Sequence, residues 1–252
     1  MPSALASDHA TARELAQQAG ELLVALRAHA DAPSPGALGD LGDRRAHELL
    51  VGELGRRCPG DAVLSEEGGD DPMTVAAGRL WIVDPLDGTR EFREPGRTDW
   101  AVHVALTVDG ELAAGAVALP ARGELFATEP APALGARPDG PPRIVVSRSR
   151  PPAEARELAD ALGGELISIG SAGAKAMAVV RAEADIYAHA GGQHVWDSAA
   201  PVAVARAAGL HASRLDGAPL NYGAGSTWLP DLLICRPEIA DKVLAIVATL
   251  SR

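Results

Sequence analysis

Lysine, cysteine and aromatic side chains are all scarce in this chain. Lys175 and Lys242 are the only lysines, so nearly all the basic charge is guanidinium. The two cysteines, Cys58 and Cys235, lie far apart and fit no metal-ligand spacing. That argues against a zinc site or a disulfide framework and predicts two reduced core thiols. No run of about 18 apolar residues occurs, so no membrane-spanning helix is expected. Met1–Ala10 contains Asp8 and lacks a basic segment followed by an apolar one. No secretory leader is therefore expected, and a cytoplasmic location is. Positive charge is also short: 23 Lys and Arg stand against 34 Asp and Glu, a formal net charge of −11. Such a chain is a poor general binder of nucleic acid, which needs its phosphates neutralised by Lys and Arg. A small phosphorylated molecule remains open to it, if metal ions supply positive charge locally.

What is present is enough for a sizeable core. The chain has 252 residues, 47% of them hydrophobic, which suits one large α/β domain or two smaller ones sharing a cleft. Leu15, Ala19, Leu22, Leu23 and Leu26 recur at helical spacing and predict a helix over 8–30. Pro and Gly mark 31–42 as a loop. A second helix is expected from Asp43 to Arg57, stopped by Cys58-Pro59-Gly60. Five short apolar runs follow, at 62–64, 80–83, 100–107, 112–119 and 124–128, with a hairpin turn at Asp109-Gly110. They predict a largely antiparallel sheet backed by the two helices. A Pro/Ala/Gly-rich loop at 129–142 divides the chain into 1–138 and 139–252. Beyond it strands at 143–147, 165–169, 186–189 and 232–235 alternate with helices at 152–162, 172–182, 197–208 and 238–250, an α/β layered half.

The densest chemistry lies in Trp81-Ile-Val-Asp84-Pro85-Leu86-Asp87-Gly88-Thr89. An apolar strand runs into two carboxylates three residues apart. Pro85 restricts both itself and Asp84, so the turn can aim both acids and the Leu86 carbonyl to one side. Hard divalent cations take that oxygen set. Gly88 lets backbone approach a ligand, and the N–H groups after it can cradle a phosphate oxygen. Alone, the segment is also an ordinary Asp-Pro, Asp-Gly turn. Ser65-Glu66-Glu67 alone is solvated surface, and Asp43 and Asp197 alone are helix-start acids. Together Glu66, Asp84, Asp87 and Asp197 would make a pocket too anionic to stand without cations. Two or three Mg²⁺ ions held there would clamp an in-line phosphoryl displacement.

Asp43, Glu66-Glu67, Asp84-Pro-Leu-Asp-Gly-Thr89 and Trp196-Asp-Ser-Ala-Ala200, in that order, resemble the inositol monophosphatase superfamily of Mg²⁺-dependent, Li⁺-inhibited phosphatases. The resemblance spans most of the chain. It implies a layered α-β-α-β-α sandwich. It also implies metal ligation by Glu66, Asp84, the Leu86 carbonyl, Asp87 and Asp197, with Asp43 and Thr89 positioning the attacking water. Relatives of this kind are often dimers, which makes a homodimer an expectation.

Finer features are similar to the 3′(2′),5′-bisphosphate nucleotidases within that superfamily: the run Ile144-Val-Val-Ser-Arg-Ser149, and Ser168-Ile-Gly170-Ser171 entering a helix that carries Lys175. The resemblance implies hydrolysis of 3′-phosphoadenosine 5′-phosphate, with its sulfated form as a further candidate substrate, in sulfur assimilation. Substrate contacts are expected from Gly88, Thr89, Gly170, Ser171, Lys175 and Asp197. A Gly-Ser turn at a helix N-terminus is a natural anion seat. Lys175 is either a point charge for a second phosphate or a solvated face residue. The segment 188–195, expected as a loop, has no carboxylate, its two glycines leave room for a flat base, and His189, Gln193 or His194 could face that base. Two rival readings stay open: an inositol or sugar phosphatase, and a non-catalytic protein on the same fold.

Overall fold

The computed structural model describes residues 5–29, 34–68, 78–149, 151–223 and 225–250. The chain opens with two long helices, α1 (Ala6–His29) and α2 (Pro35–Arg57). α2 starts well before the position its apolar pattern predicts, so 35–42 is helix rather than loop. Ser34 caps it, its hydroxyl accepting from Ala37 N, and Pro35 fills the first position, where a missing N–H costs nothing. The glycines that suggested a loop serve packing instead. A Cβ at Gly42 would come within 3.0 Å of Leu86 and Phe92. Asp43 consequently sits more than two turns into α2, not at its start.

The first sheet runs β1 (Ala62–Ser65), β2 (Arg79–Asp87), β3 (Ala101–Val108), β4 (Glu111–Leu119) and β5 (Glu124–Ala127), paired in that order. β1 joins β2 in parallel and the other pairs are antiparallel. Asp109 and Gly110, both at positive φ, make the β3–β4 turn. A one-turn helix, α3 (Thr89–Arg93), follows β2 directly. The second sheet has the order β7-β6-β8-β10-β9. Its strands are β6 (Arg143–Ser147), β7 (Glu165–Ile169), β8 (Ile186–His194), β9 (His211–Ser213) and β10 (Trp228–Cys235). Helices α4 (Ala153–Leu162), α5 (Ala172–Val180), α6 (Val195–Ala207) and α7 (Ala240–Leu250) complete it. Here β8 extends through His194, so the segment expected as a loop at 188–195 is mostly strand, held by pairing to β10. β9 was not foreseen.

The layers follow from strand alternation. Trp81, Val83, Val102 and Val104 pack against α1 and α2, whereas Leu80, Ile82, Ala101 and Ala105 face the opposite way. That second face meets α5 and α6, which also receive Val145, Tyr187, Leu232 and Ile234 from the second sheet. The far side of the second sheet, with Ile144, Val146, Ile186 and Leu233, is covered by α4 and α7. The result is the expected α-β-α-β-α sandwich. Both sheets are buried on two sides, which explains why β2, β3 and β4 read as nearly continuous apolar runs. Cys235 lies in the core as expected, but Cys58 is only half-buried, at the end of α2.

Candidate active site

The site forms where β2 loses its regular pairing. Asp84 still opposes His103 on β3, but the register slips before Asp87 reaches Ala101. The irregularity turns the backbone and brings two acids to one side. Leu86 N donates to Asp84 Oδ1 at 3.1 Å, and the Leu86 side chain anchors in the α1–α2 core. Gly88, at φ 87°, then reverses the chain into α3. A Cβ there would lie 3.1 Å from Ser171 and be strained by that φ, so glycine is needed. Thr89 Oγ1 donates toward the Leu86 carbonyl at 3.1 Å and Asp43 Oδ1 at 3.3 Å. Asp43 from α2 and Thr89 from α3 are thereby brought together.

Asp197 arrives from the other half of the chain. It is the third residue of α6, and its Oδ2 accepts from His194 N at 2.8 Å, which ties the acid back to the end of β8. Carboxylate oxygens of Asp84, Asp87 and Asp197 all lie within 4.8 Å of one another. Glu66, just after β1, stands outside that trio but near enough for Asp197 and Asp84 to act on its charge. Acids as remote in sequence as Asp84 and Asp197 thus meet at one point.

Electrostatics describe an anion cluster in need of cations. Burial, then Glu66, Asp87 and Asp197, push the Asp84 carboxyl well above its ordinary range. Burial and Asp197 raise Glu66 to about 7, and burial and Asp87 raise Asp197. Asp43 also rises to about 7, from burial and the nearby Glu67. Asp87 goes the other way. Burial opposes its charge, but His103, Lys175 and Ser171 hold it below the usual carboxylate range. All-oxygen donors at these separations, most of them with pKa raised by burial and by one another, fit a hard divalent cation.

Asp87 is the most heavily bonded acid of the cluster. It accepts from the Ser171 hydroxyl, from Ala172 N at 3.0 Å and from Gly173 N at 2.6 Å, and His103 Nε2 lies 3.1 Å away. The anion at the α5 N-terminus is therefore Asp87, in the seat that the sequence suggested for a substrate phosphate. Gly170 N donates to Asp99 Oδ2 at 2.6 Å, so it too is engaged within the protein. Lys175 is not a solvated face residue. Its ammonium is buried beneath the turn, donating to Ser171 O at 2.9 Å and Gly170 O at 3.3 Å, and lies 5.2 Å over the Tyr187 ring. Burial lowers its pKa.

Three features escaped the sequence reading. His103, fully buried on β3, also has Nδ1 3.0 Å from Trp196 O, so its ring ties Asp87 to the helix carrying Asp197. Its signal was a lone imidazole inside an apolar strand. Buried Glu91 pairs with Arg148 at 2.8 Å, linking α3 to the end of β6. Trp228, on β10, is half exposed beside Gly192 and His194.

A cavity of about 490 Å³ opens over this machinery, walled by Asp87, Thr89, Ser171, Lys175 and Asp197 on one side and by β8 and Trp228 on the other. Asp43 and Glu67 line a smaller hollow of about 350 Å³. A larger hollow of about 620 Å³, between α1 and β5, contains none of the clustered acids. No helix among the described residues is long and apolar enough to cross a membrane.

A model of the inositol monophosphatase family matches residues 7–251. The chain is 51% identical over 253 residues to a 3′-phosphoadenosine 5′-phosphate phosphatase of Mycobacterium leprae, covering 96% of this chain and 93% of the relative. It is 34% identical over 201 residues to the 3′(2′),5′-bisphosphate nucleotidase CysQ of Escherichia coli, covering 74% and 80%. Among solved structures it is similar to CysQ from Bacteroides thetaiotaomicron, with a TM-score of 0.77, 28% identity and coverage of 91% and 97%. It shares its fold with inositol monophosphatase II of Staphylococcus aureus, with a TM-score of 0.78, 21% identity and coverage of 94% and 95%.

Proposed function

This chain belongs to the inositol monophosphatase family, and from that premise and the geometry of the cleft we propose that it is a Mg²⁺-dependent phosphatase hydrolysing 3′-phosphoadenosine 5′-phosphate to AMP and phosphate. The observation that carries the reading is the meeting of Asp84, Asp87 and Asp197 within 4.8 Å, beside the Asp43–Thr89 pair. The substrate follows from the relatives that share half of this sequence over nearly its whole length. A cavity wall at 188–195 without carboxylates agrees with it.

Asp84, Asp87, Asp197, Glu66 and the Leu86 carbonyl are the ligands we assign to two or three Mg²⁺ ions. Bound there, the ions supply positive charge that activates water and steadies the attacking and leaving oxygens of an in-line displacement. Asp43, with a pKa near 7 in the metal-free protein, receives the proton of the attacking water. Thr89 orients that water through its hydroxyl, which already spans Asp43 and the Leu86 carbonyl. Gly88 and Thr89, at the start of α3, bring backbone N–H groups to the phosphate oxygens. Gly170, Ser171 and Lys175 act one step back: the turn they build receives the Asp87 carboxylate and fixes its angle. No covalent enzyme intermediate is required. We place the reaction in the cytoplasm, in sulfur assimilation.

The test is a comparison of kcat/KM for adenosine 3′,5′-bisphosphate and inositol 1-phosphate with Mg²⁺ present. The nucleotide is expected to lead by at least about tenfold, a difference of about 1.4 kcal/mol in transition-state binding. A preference for the inositol ester would overturn the substrate assignment.

A further inference from the structure

We infer that Trp228 is the stacking platform for the heteroaromatic base of the substrate nucleotide. This rests on the reading of the cleft as a nucleotide site and names the part of the wall that selects for it. Four tryptophans occur in the chain. Trp81, Trp100 and Trp196 are at most 5% exposed, whereas Trp228 is 50% exposed. It lines the same cavity as Asp87 and Asp197.

The indole is held flat by its surroundings. Gly192, at φ 86°, lies directly against it: a Cβ on Gly192 would fall 1.7 Å from the Trp228 ring. The ring therefore occupies the space that any other residue would fill at position 192. His194 stands perpendicular to it, with centroids 5.4 Å apart and planes at 84°. His194 is itself fixed by parallel stacking on Trp196 at 4.4 Å. Trp228 is thus braced by the Gly192 backbone and by a locked imidazole, and half of it stays exposed. An exposed indole braced beside a polar cavity offers a flat apolar surface on which a ligand ring can stack.

Register sets its distance from the chemistry. Trp228 pairs with His194 across β8 and β10, and the His194 N–H is bonded to Asp197. The platform is thereby one strand pair and one helical turn from the clustered acids. A ligand carrying a phosphate at the acids and a flat ring at Trp228 spans the cavity; an ester without a base reaches only one end. A purine supplies the π face that the indole can stack on.

The experiment compares the wild-type enzyme, Trp228→Ala and Trp228→Phe, using adenosine 3′,5′-bisphosphate and inositol 1-phosphate with Mg²⁺. Tryptophan fluorescence is titrated with AMP in parallel. Removing the ring is expected to lower the ratio of kcat/KM for nucleotide over inositol ester by about ten- to a hundredfold, mainly through nucleotide KM, the range in which aromatic–base stacks weaken on truncation. Trp228→Phe should restore most of that ratio. AMP should quench wild-type fluorescence, and Trp228→Ala should lose the quench. A ratio unchanged in Trp228→Ala, or an equal loss on both substrates, overturns the platform. If the wild-type enzyme does not favour the nucleotide, the substrate assignment fails. The fluorescence arm then decides the platform alone: an AMP quench lost in Trp228→Ala supports it, and no quench overturns it.

Discussion

A single methyl-sized change or a single charge decides much at this site, because its carboxylates are buried next to one another. Asp84 is the extreme case: it is 1% exposed, and three neighbouring acids oppose its charge. Asp84→Asn removes that charge while keeping the shape. The variant should lose at least about 10³-fold in kcat/KM, the scale of losing a charge-stabilising interaction of about 4 kcal/mol in the transition state. Its metal-free melting temperature should equal or exceed that of the wild-type protein, since the mutation relieves repulsion. Steady-state kinetics and a thermal scan in chelator check both halves, and near-normal turnover would remove Asp84 from the metal site. Asp84-Pro-Leu-Asp is a local pattern that alone also reads as an ordinary turn; the ordered set with Asp43, Glu66 and Asp197 is what pointed to metal chemistry. His103 and Trp228 were not legible. A lone imidazole in an apolar strand and a lone indole after a loop gain meaning only from Asp87, Trp196 and Gly192, which are remote in sequence from one or the other.

Elements deliver those residues, and glycine governs how closely the elements approach. α5 presses on β3 so tightly that a Cβ at Gly173 would lie 2.2 Å from His103 Nε2 and 3.0 Å from Ala101. Gly173→Ala should therefore cost about 1–3 kcal/mol of stability through overpacking. Displacing His103 and the Gly173 N–H from Asp87 should also lower kcat/KM by about ten- to a hundredfold. Gly52 is the control. It lies on the exposed side of α2, and a methyl added there would meet nothing within 4 Å. Gly52→Ala should stabilise the protein by about 0.5–1 kcal/mol and leave activity unchanged. Denaturant unfolding with parallel kinetics separates the two. Strands and most helices were legible from periodicity, and boundaries were read least well. The true start of α2 carried a Ser34-Pro35 signal, but the glycines at 36, 39 and 42 outweighed it. The packing of Gly39 and Gly42 against Arg93, Leu86 and Phe92 is a long-range fact. The extension of β8 to His194 depends likewise on pairing with β10, a strand well separated from it in sequence.

At the scale of the whole molecule, the packing of the two sheets brings acids from β2 and α6 to one place, with Glu66 near them, and that assembly has a thermodynamic signature. The two halves were legible from the order of apolar runs, and their stacking as a layered sandwich from the family resemblance; the strand order of the second sheet was not, because non-consecutive pairing leaves no local trace. Asp43 and Glu66 hold their protons to about pH 7 in the folded protein, and Asp84 and Asp197 are shifted in the same direction. Unfolded carboxylates release theirs near about pH 4. Between those limits the folded state binds more protons than the unfolded one, so metal-free stability falls as pH rises toward about 7. Asp87 has the opposite sign. Its contribution is present above its unfolded pKa and is lost only as acid titrates it below its ordinary range.

The most direct test of the cation cage is thermal unfolding of the metal-free protein at about pH 5.5 and about pH 8, each titrated with Mg²⁺. Without metal, the melting temperature should be lower at the alkaline pH than at the acid one. At the alkaline pH, Mg²⁺ at about a hundred times its dissociation constant should raise it by about 5–10 °C, equivalent to about 2.7 kcal/mol. The rise should be smaller at the acid pH, where the acids keep their protons, and absent in Asp84→Asn. A wild-type melting temperature indifferent to Mg²⁺ at the alkaline pH, or an equal rise in Asp84→Asn, would contradict the account.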